Sequence, residues 1–194
     1  SRLRAIIQNA KAANMPKDNI ERAIKKASEK SSENFKEVLL EGYAPHGIAI
    51  LVEAATDNNN RTVANIRSYF NKCDGSLATS GSVDFLFDHL CFFQIKDQGI
   101  DIEELELDLI DFGVIELSKL ENEISITARF EDFGTIQKEL ERRQLEISSS
   151  EFEREARINK TLPEDERLKV ERLINMIDED EDVQNVYHDM KTID

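Results

Sequence analysis

The chain has 194 residues, is 40% hydrophobic and 34% charged, and carries 25 Lys/Arg against 40 Asp/Glu for a formal net charge of −15. Its length allows one to three compact units, and no apolar run approaches the roughly 20 residues of a spanning helix, which argues against a membrane protein. The two cysteines, Cys73 and Cys91, lack CxxC spacing and read as reduced core residues of a cytosolic protein rather than a disulfide or metal site. Charge is segregated: residues 1–30 hold eight Lys/Arg against three Asp/Glu, a local +5, and the remainder carries −20. A basic end on an acidic body offers a local site for phosphate while the body resists nonspecific coating; the plainer alternative is an ordinary solvated helix face.

Taken in chain order, residues 1–30 read as a helical hairpin. Leu3, Ile6, Ile7 and Ala10, then Ile20, Ala23, Ile24 and Ala27, keep helical spacing, and Pro16 suits the first turn of the second helix. A polar linker covers 28–34. Strands are predicted at 38–43 and 48–55, closed around Pro45-His46-Gly47. The run from Ile48 to Val52 is continuously apolar, as in strands covered on both faces. A helix over 61–72 follows, with Val63, Ile66 and Phe70 buried and Gly75 as its stop. Val83, Phe85 and Phe87 alternate as one face of a strand, with 91–96 as its hairpin partner.

Gln98-Gly99 marks a seam. Beyond it the pattern predicts a helix stopped by Gly113, strands at 114–118 and 123–130, a helix at 133–142 and a strand at 145–152. A last helix carries Val170, Leu173, Ile174 and Ile177, and a short strand covers 183–187. The first sheet unit lacks a final helix–strand step, which the C-terminal segment is expected to supply. The predicted fold is therefore α+β, with an N-terminal helical hairpin (1–34) and two α/β-sandwich, ferredoxin-like domains. The first is discontinuous (35–97 plus 160–194) and the second (98–159) is inserted in it.

Enzyme signatures are missing from the sequence: it has no GxGxxG, GxxxxGK[ST], HExxH or GxSxG. His46, His89 and His188 stand far apart and read as turn or surface residues. The acidic run 178–182 lacks the alternate spacing and central glycine of a calcium loop and reads as a solvated turn. No metal or cofactor is expected. Three segments could meet nucleic acid. Asp57, Asn58, Asn59 and Asn60 precede Arg61 at a helix start, which is either plain capping or an anion site. The loop Gly75, Ser76, Leu77, Ala78, Thr79, Ser80, Gly81, Ser82 is either a connection or a place where backbone comes close to a phosphate or base. The hairpin's Arg2, Arg4, Lys11, Lys17, Arg22, Lys25 and Lys26 make the main candidate. With little aromatic interleaving and no helix-turn-helix pattern, they favour backbone and shape recognition, as of structured RNA.

Three blocks carry a family resemblance: AKAANMPKDNIERAIKKA at 10–27, EGYAPHGIAILVEAATDNNNRT at 41–62 and GSLATSGSVDFLF at 75–87, continued loosely by DEDEDVQNVYHDM at 178–190. The sequence resembles the YebC family, which includes bacterial proteins described as transcriptional regulators and the mitochondrial translational activator of cytochrome c oxidase. Family members carry a basic segment beginning like GHSKW ahead of the position where this sequence starts, so part of a longer protein is expected here. The resemblance implies a three-domain discontinuous layout, makes Arg61 and Arg67 candidate contacts through the Thr56–Thr62 block, and sets the 75–82 loop beside an interdomain cleft. It further implies a non-enzymatic translation factor whose partners are rRNA and tRNA on the ribosome, aiding synthesis of proline-rich sequences. The alternatives are a DNA-binding transcriptional regulator and an acidic protein-interaction module. A bacterial cytoplasmic location is expected, with the mitochondrial matrix as alternative; the oligomeric state stays open.

Overall fold

The computed structural model describes residues 34–193. They form two antiparallel four-stranded sheets and four α-helices, an α+β architecture. The residues divide into two compact units, one of His89–Arg154 and the other running to Asp88 and resuming at Glu155. The basic hairpin expected at 1–34, with its seven candidate cations, lies outside the described residues except for Asn34.

In the discontinuous unit, β1 (Lys36–Tyr43) and β2 (Ala49–Thr56) pair antiparallel from Lys36↔Thr56 to Tyr43↔Ala49. A single 3-10 turn over Pro45–Gly47 joins them, with His46 and Gly47 both left-handed. Helix α1 (Asn59–Lys72) leads to β3 (Ser76–Ala78), which pairs with the outer side of β1. The chain returns through α4 (Glu164–Asp178) to β8 (Val183–His188), which pairs with β2. The sheet order is β3-β1-β2-β8.

Strand β2 is apolar at consecutive positions because both of its faces are covered. Ile48, Ile50 and Val52 pack with Ile66 and Phe70 of α1 and with Val170, Leu173 and Ile177 of α4. Ala49 and Leu51 point the other way, onto Val83 and Phe87, with Leu86, Ala156 and Tyr187 at the margin. Phe70 also explains two glycines. A Cβ on Gly42 would lie 2.7 Å from both the Phe70 ring and the Ser76 carbonyl oxygen, and one on Gly75 would lie 2.5 Å from the Tyr43 carbonyl oxygen.

The continuous unit reads β4 (Phe87–Lys96), α2 (Ile102–Leu109), β5 (Val114–Leu120), β6 (Glu123–Arg129), α3 (Phe133–Arg142) and β7 (Ile147–Ala156). Its sheet order, β5-β6-β4-β7, is that of a β-α-β-β-α-β ferredoxin-like fold. Asp101 caps α2 through the Glu103 and Glu104 N–H groups. Gly113, at φ 98°, ends the following 3-10 turn. Inward positions Cys91, Phe93 and Ile95 of β4 and Ile124, Ile126 and Ala128 of β6 meet Leu105, Leu109, Ile136 and Leu140 from the helices. Phe133 stacks on Phe93 at 4.9 Å and meets Phe152 edge-on at 4.8 Å.

Several sequence expectations are corrected. Residues 83–87 are not a strand. Asp84–Leu86 form a 3-10 turn that buries Val83 and leaves Phe85 61% exposed. Residues 91–96 are not a hairpin partner but the continuation of one long strand, β4, which belongs to the second sheet. The second unit accordingly begins at His89, ahead of the Gln98-Gly99 turn, and ends at Arg154 rather than 159. Only this unit has the ferredoxin-like strand order; the first sheet is arranged differently because its edge strands are β3 and β8. His188 is a strand residue, not a turn or surface one. Burial lowers its pKa from the ordinary value.

Candidate nucleic-acid interface

The polar block after β2 is built as a helix start. Asn58 accepts the Arg61 N–H through its side-chain oxygen at 3.1 Å, and the Thr56 hydroxyl accepts the Asn58 N–H at 2.9 Å. Capping of this kind satisfies donors that the first helical turn leaves free. The Arg61 guanidinium turns back to Asp182, 3.2 Å from both carboxylate oxygens, and lies 3.3 Å from Asp57. Those carboxylates, Asp182 first, raise the Arg61 pKa above its ordinary value. Thr62 donates its hydroxyl to the same Asp182 at 2.8 Å. The anion that this helix start and Arg61 receive is thus the protein's own buried Asp182.

The acidic run 178–182 is likewise more than a solvated turn. Asp180 accepts the Tyr69 hydroxyl at 2.6 Å and the Asp182 N–H at 2.8 Å. Burial and then the Asp180 hydrogen bond push the Tyr69 pKa up to about 12. Two acids of the run therefore fasten the α4–β8 turn to α1.

The small-residue loop has a similar internal counter-ion. Glu41, on β1 and only 2% exposed, accepts N–H groups from Gly81 at 2.7 Å, Val83 at 2.9 Å and Asp84 at 2.8 Å. Thr79–Ser82 close a turn, with the Ser82 N–H donated to the Thr79 carbonyl at 3.2 Å. Gly81 sits at φ 90°, the left-handed value that a type II turn requires at its third residue. Of the loop's own amides, Gly81's is held by this carboxylate, Ser82's by the Thr79 carbonyl and Gly75's by the Phe70 carbonyl. Gly75 is placed by close packing, while Ser76, Thr79 and Ser80 keep exposed side chains.

Arg67 differs from Arg61. It lies on the solvent side of α1, and no ion pair among the described residues engages it. Ala64, Arg67, Ser68, Asn71 and Lys72 line an open hollow along this helix. Sequence reasoning singled out Arg67 but passed over Ser68, Asn71 and Lys72. Their only signal was the absence of acids from α1, NNRTVANIRSYFNK. Glu41 and Asp182 were also missed, since each acts on partners some 40 and 120 positions away.

Residues 35–190 match the family model described as TACO1/YebC second and third domain, and residues 1–30 match the TACO1/YebC protein N-terminal domain. The chain belongs to the TACO1/YebC family. Relatives named probable transcriptional regulatory protein include one from Flavobacterium johnsoniae, 66% identical over 98% of this chain and 81% of its own length. One from Porphyromonas gingivalis is 56% identical over 98% of this chain and 79% of its own, and one from Myxococcus xanthus is 47% identical over 98% and 81%. A crystal structure of a conserved hypothetical protein from Aquifex aeolicus matches with a TM-score of 0.60 and 35% identity, covering 95% of this chain and 77% of that one. The two matched TACO1/YebC domains contain both sheets described above. None of the helices described is long and apolar enough to cross a membrane.

Proposed function

We propose that this TACO1/YebC chain is a non-enzymatic regulator of gene expression that binds structured RNA and acts on translation at the ribosome, assisting synthesis of difficult, proline-rich sequences. The observation that carries the reading is the charge segregation: +5 within residues 1–30 against −20 in the remainder. A cationic segment on an anionic body favours phosphate contacts confined to one region, which yield salt-dependent, sequence-tolerant binding. The discontinuous unit supports this by what it withholds. Arg61 is paired with Asp182, and the Gly81 amide of the 75–82 loop with Glu41. Relatives' names favour a second reading, a DNA-binding transcriptional regulator.

Sedimentation with ribosomes and titration against duplex DNA, both across a salt series, separate the two. Saturable ribosome binding that outlasts DNA binding as salt rises is expected. Tight, site-specific DNA binding without ribosome association would establish the regulator instead.

A further inference from the structure

We infer that the solvent face of α1 is a second phosphate-contacting site, which takes the backbone of a structured RNA across Ala64 and Ser68, between Arg67 and the Asn71–Lys72 pair. The inference rests on the RNA-binding reading above and adds a site to it.

The first argument is charge. Of the four α-helices described, α1 alone contains no acidic residue over its length, though it lies in the part of the chain that carries −20. Of its three cations, Arg61 is held by Asp57 and Asp182, whereas no ion pair among the described residues engages Arg67 or Lys72. The nearest acids in sequence are Asp57, paired with Arg61, and Asp74, beyond the C-terminal end of the helix. An acid-free, unneutralised cationic face on an acidic protein is where a polyanion can approach without repulsion.

The second argument is shape. Thr62, Ile66 and Phe70 turn inward, so Asn60, Ala64, Arg67 and Asn71 fall in one outward row at i, i+4, i+7 and i+11 spacing. Ala64 and Ser68, one turn apart and short, make the floor of the hollow, and Arg67, Asn71 and Lys72 rise around it. At about 440 Å³ but open to solvent, the hollow does not enclose a ligand as small-molecule pockets do. It suits a strand laid across it. Arg67 can fork onto two phosphate oxygens and Lys72 supplies a point charge. The Ser68 hydroxyl and Asn71 amide are of the kind that bond phosphate, sugar and 2′-hydroxyl oxygens.

The test uses the full chain with a fluorescently labelled RNA stem-loop, titrated across a salt series. R67Q/K72Q should weaken binding on the order of tenfold and lower the salt slope by about 2, one for each lost phosphate contact. S68A/N71A should weaken binding while leaving the slope unchanged, because it removes neutral donors. K169Q/R172Q removes the same charge from exposed positions of α4 and should leave both nearly as in the parent. Arg67 and Lys72 are exposed, so R67Q/K72Q should melt with the parent. Parental affinity and slope in R67Q/K72Q, with K25E/K26E impaired, would overturn the α1 site and leave the RNA-binding reading standing. Equal effects of R67Q/K72Q and K169Q/R172Q would overturn the site as well, by assigning the loss to bulk charge. A parent that binds duplex DNA but not the stem-loop would overturn the RNA assignment, and one that binds neither would overturn both proposals.

Discussion

Glu41 is a carboxylate that works inside the protein as a counter-ion for backbone. With three N–H donors converging on it and almost no solvent, its removal would strip the 81–84 amides of their acceptor. Glu41→Ala should destabilise the discontinuous unit by about 3 kcal/mol, since buried donors left unpaired cost on the order of 1–3 kcal/mol each and relax only in part. Hydrogen exchange should speed first at Val83 and Asp84; unchanged protection there would remove Glu41 as the anchor. Glu139 presents the opposite case, a carboxylate held by cations. Arg142 and Arg143 bond it, and with the Arg142 hydrogen bond foremost they hold its carboxyl down to about 2. A folded pKa below the ordinary value of 4.5 means stabilisation that is complete above about 4.5 and lost as the pH falls towards 2. Glu139→Gln should therefore melt below the parent at neutral pH, with the gap closing over that acid window. A gap that stays constant with pH would show that the pairing contributes nothing.

At the scale of elements, α4 and β8 hold the discontinuous unit together. Val170, Leu173 and Ile177 sit in the same core as Ile50, Ile66 and Phe70, and β8 closes one edge of the sheet along β2. A chain ending before Glu164 loses both, so its first sheet should unfold while 89–154, whose core shares none of these residues, keeps its own transition. A single parental melt would refute the dependence. Periodicity in the sequence was enough to place β2, α3 and the Gly113 stop, because each depends on local pattern: consecutive apolar residues in β2, Ile136 and Leu140 one turn apart in α3, and a left-handed glycine at 113. It failed at 83–87, where Val83, Phe85 and Phe87 alternate as in a strand. A 3-10 turn there drives Val83 and Phe87 onto the back of β2 and leaves Phe85 in solvent. Long-range polar pairs were equally illegible: nothing near Arg61 announces Asp182, and nothing near Gly81 announces Glu41. The solvent face of α1 was half legible, since the family resemblance pointed to Arg67, but the hollow that Ala64 and Ser68 help to line depends on which way the helix turns.

For the whole molecule, the chain path shows how a ferredoxin-like unit is carried within another sheet unit. Among the described residues, the two cores of the discontinuous unit draw on residues up to Phe87 and from Ala156 onward, and the other core on residues from Cys91 to Phe152. Departure and return lie side by side. The Arg157 N–H is donated to the Leu86 carbonyl at 3.0 Å, and the Arg157 guanidinium meets Asp88 at 2.9 Å. Strands β4 and β7, neighbours in the second sheet, carry the chain out and back. Closing so short a gap costs little loop entropy, and insertions at such points leave the host's contacts intact. Replacing 89–154 by a short Gly/Ser linker should therefore leave a folded unit that keeps the Tyr69–Asp180 and Thr62–Asp182 bonds. Its melting temperature should fall within a few degrees of the corresponding transition in the parent, and protection of the β2 amides should be retained. Loss of that protection would show that the first sheet needs the inserted unit to fold, and that their separate cores are not separate in stability.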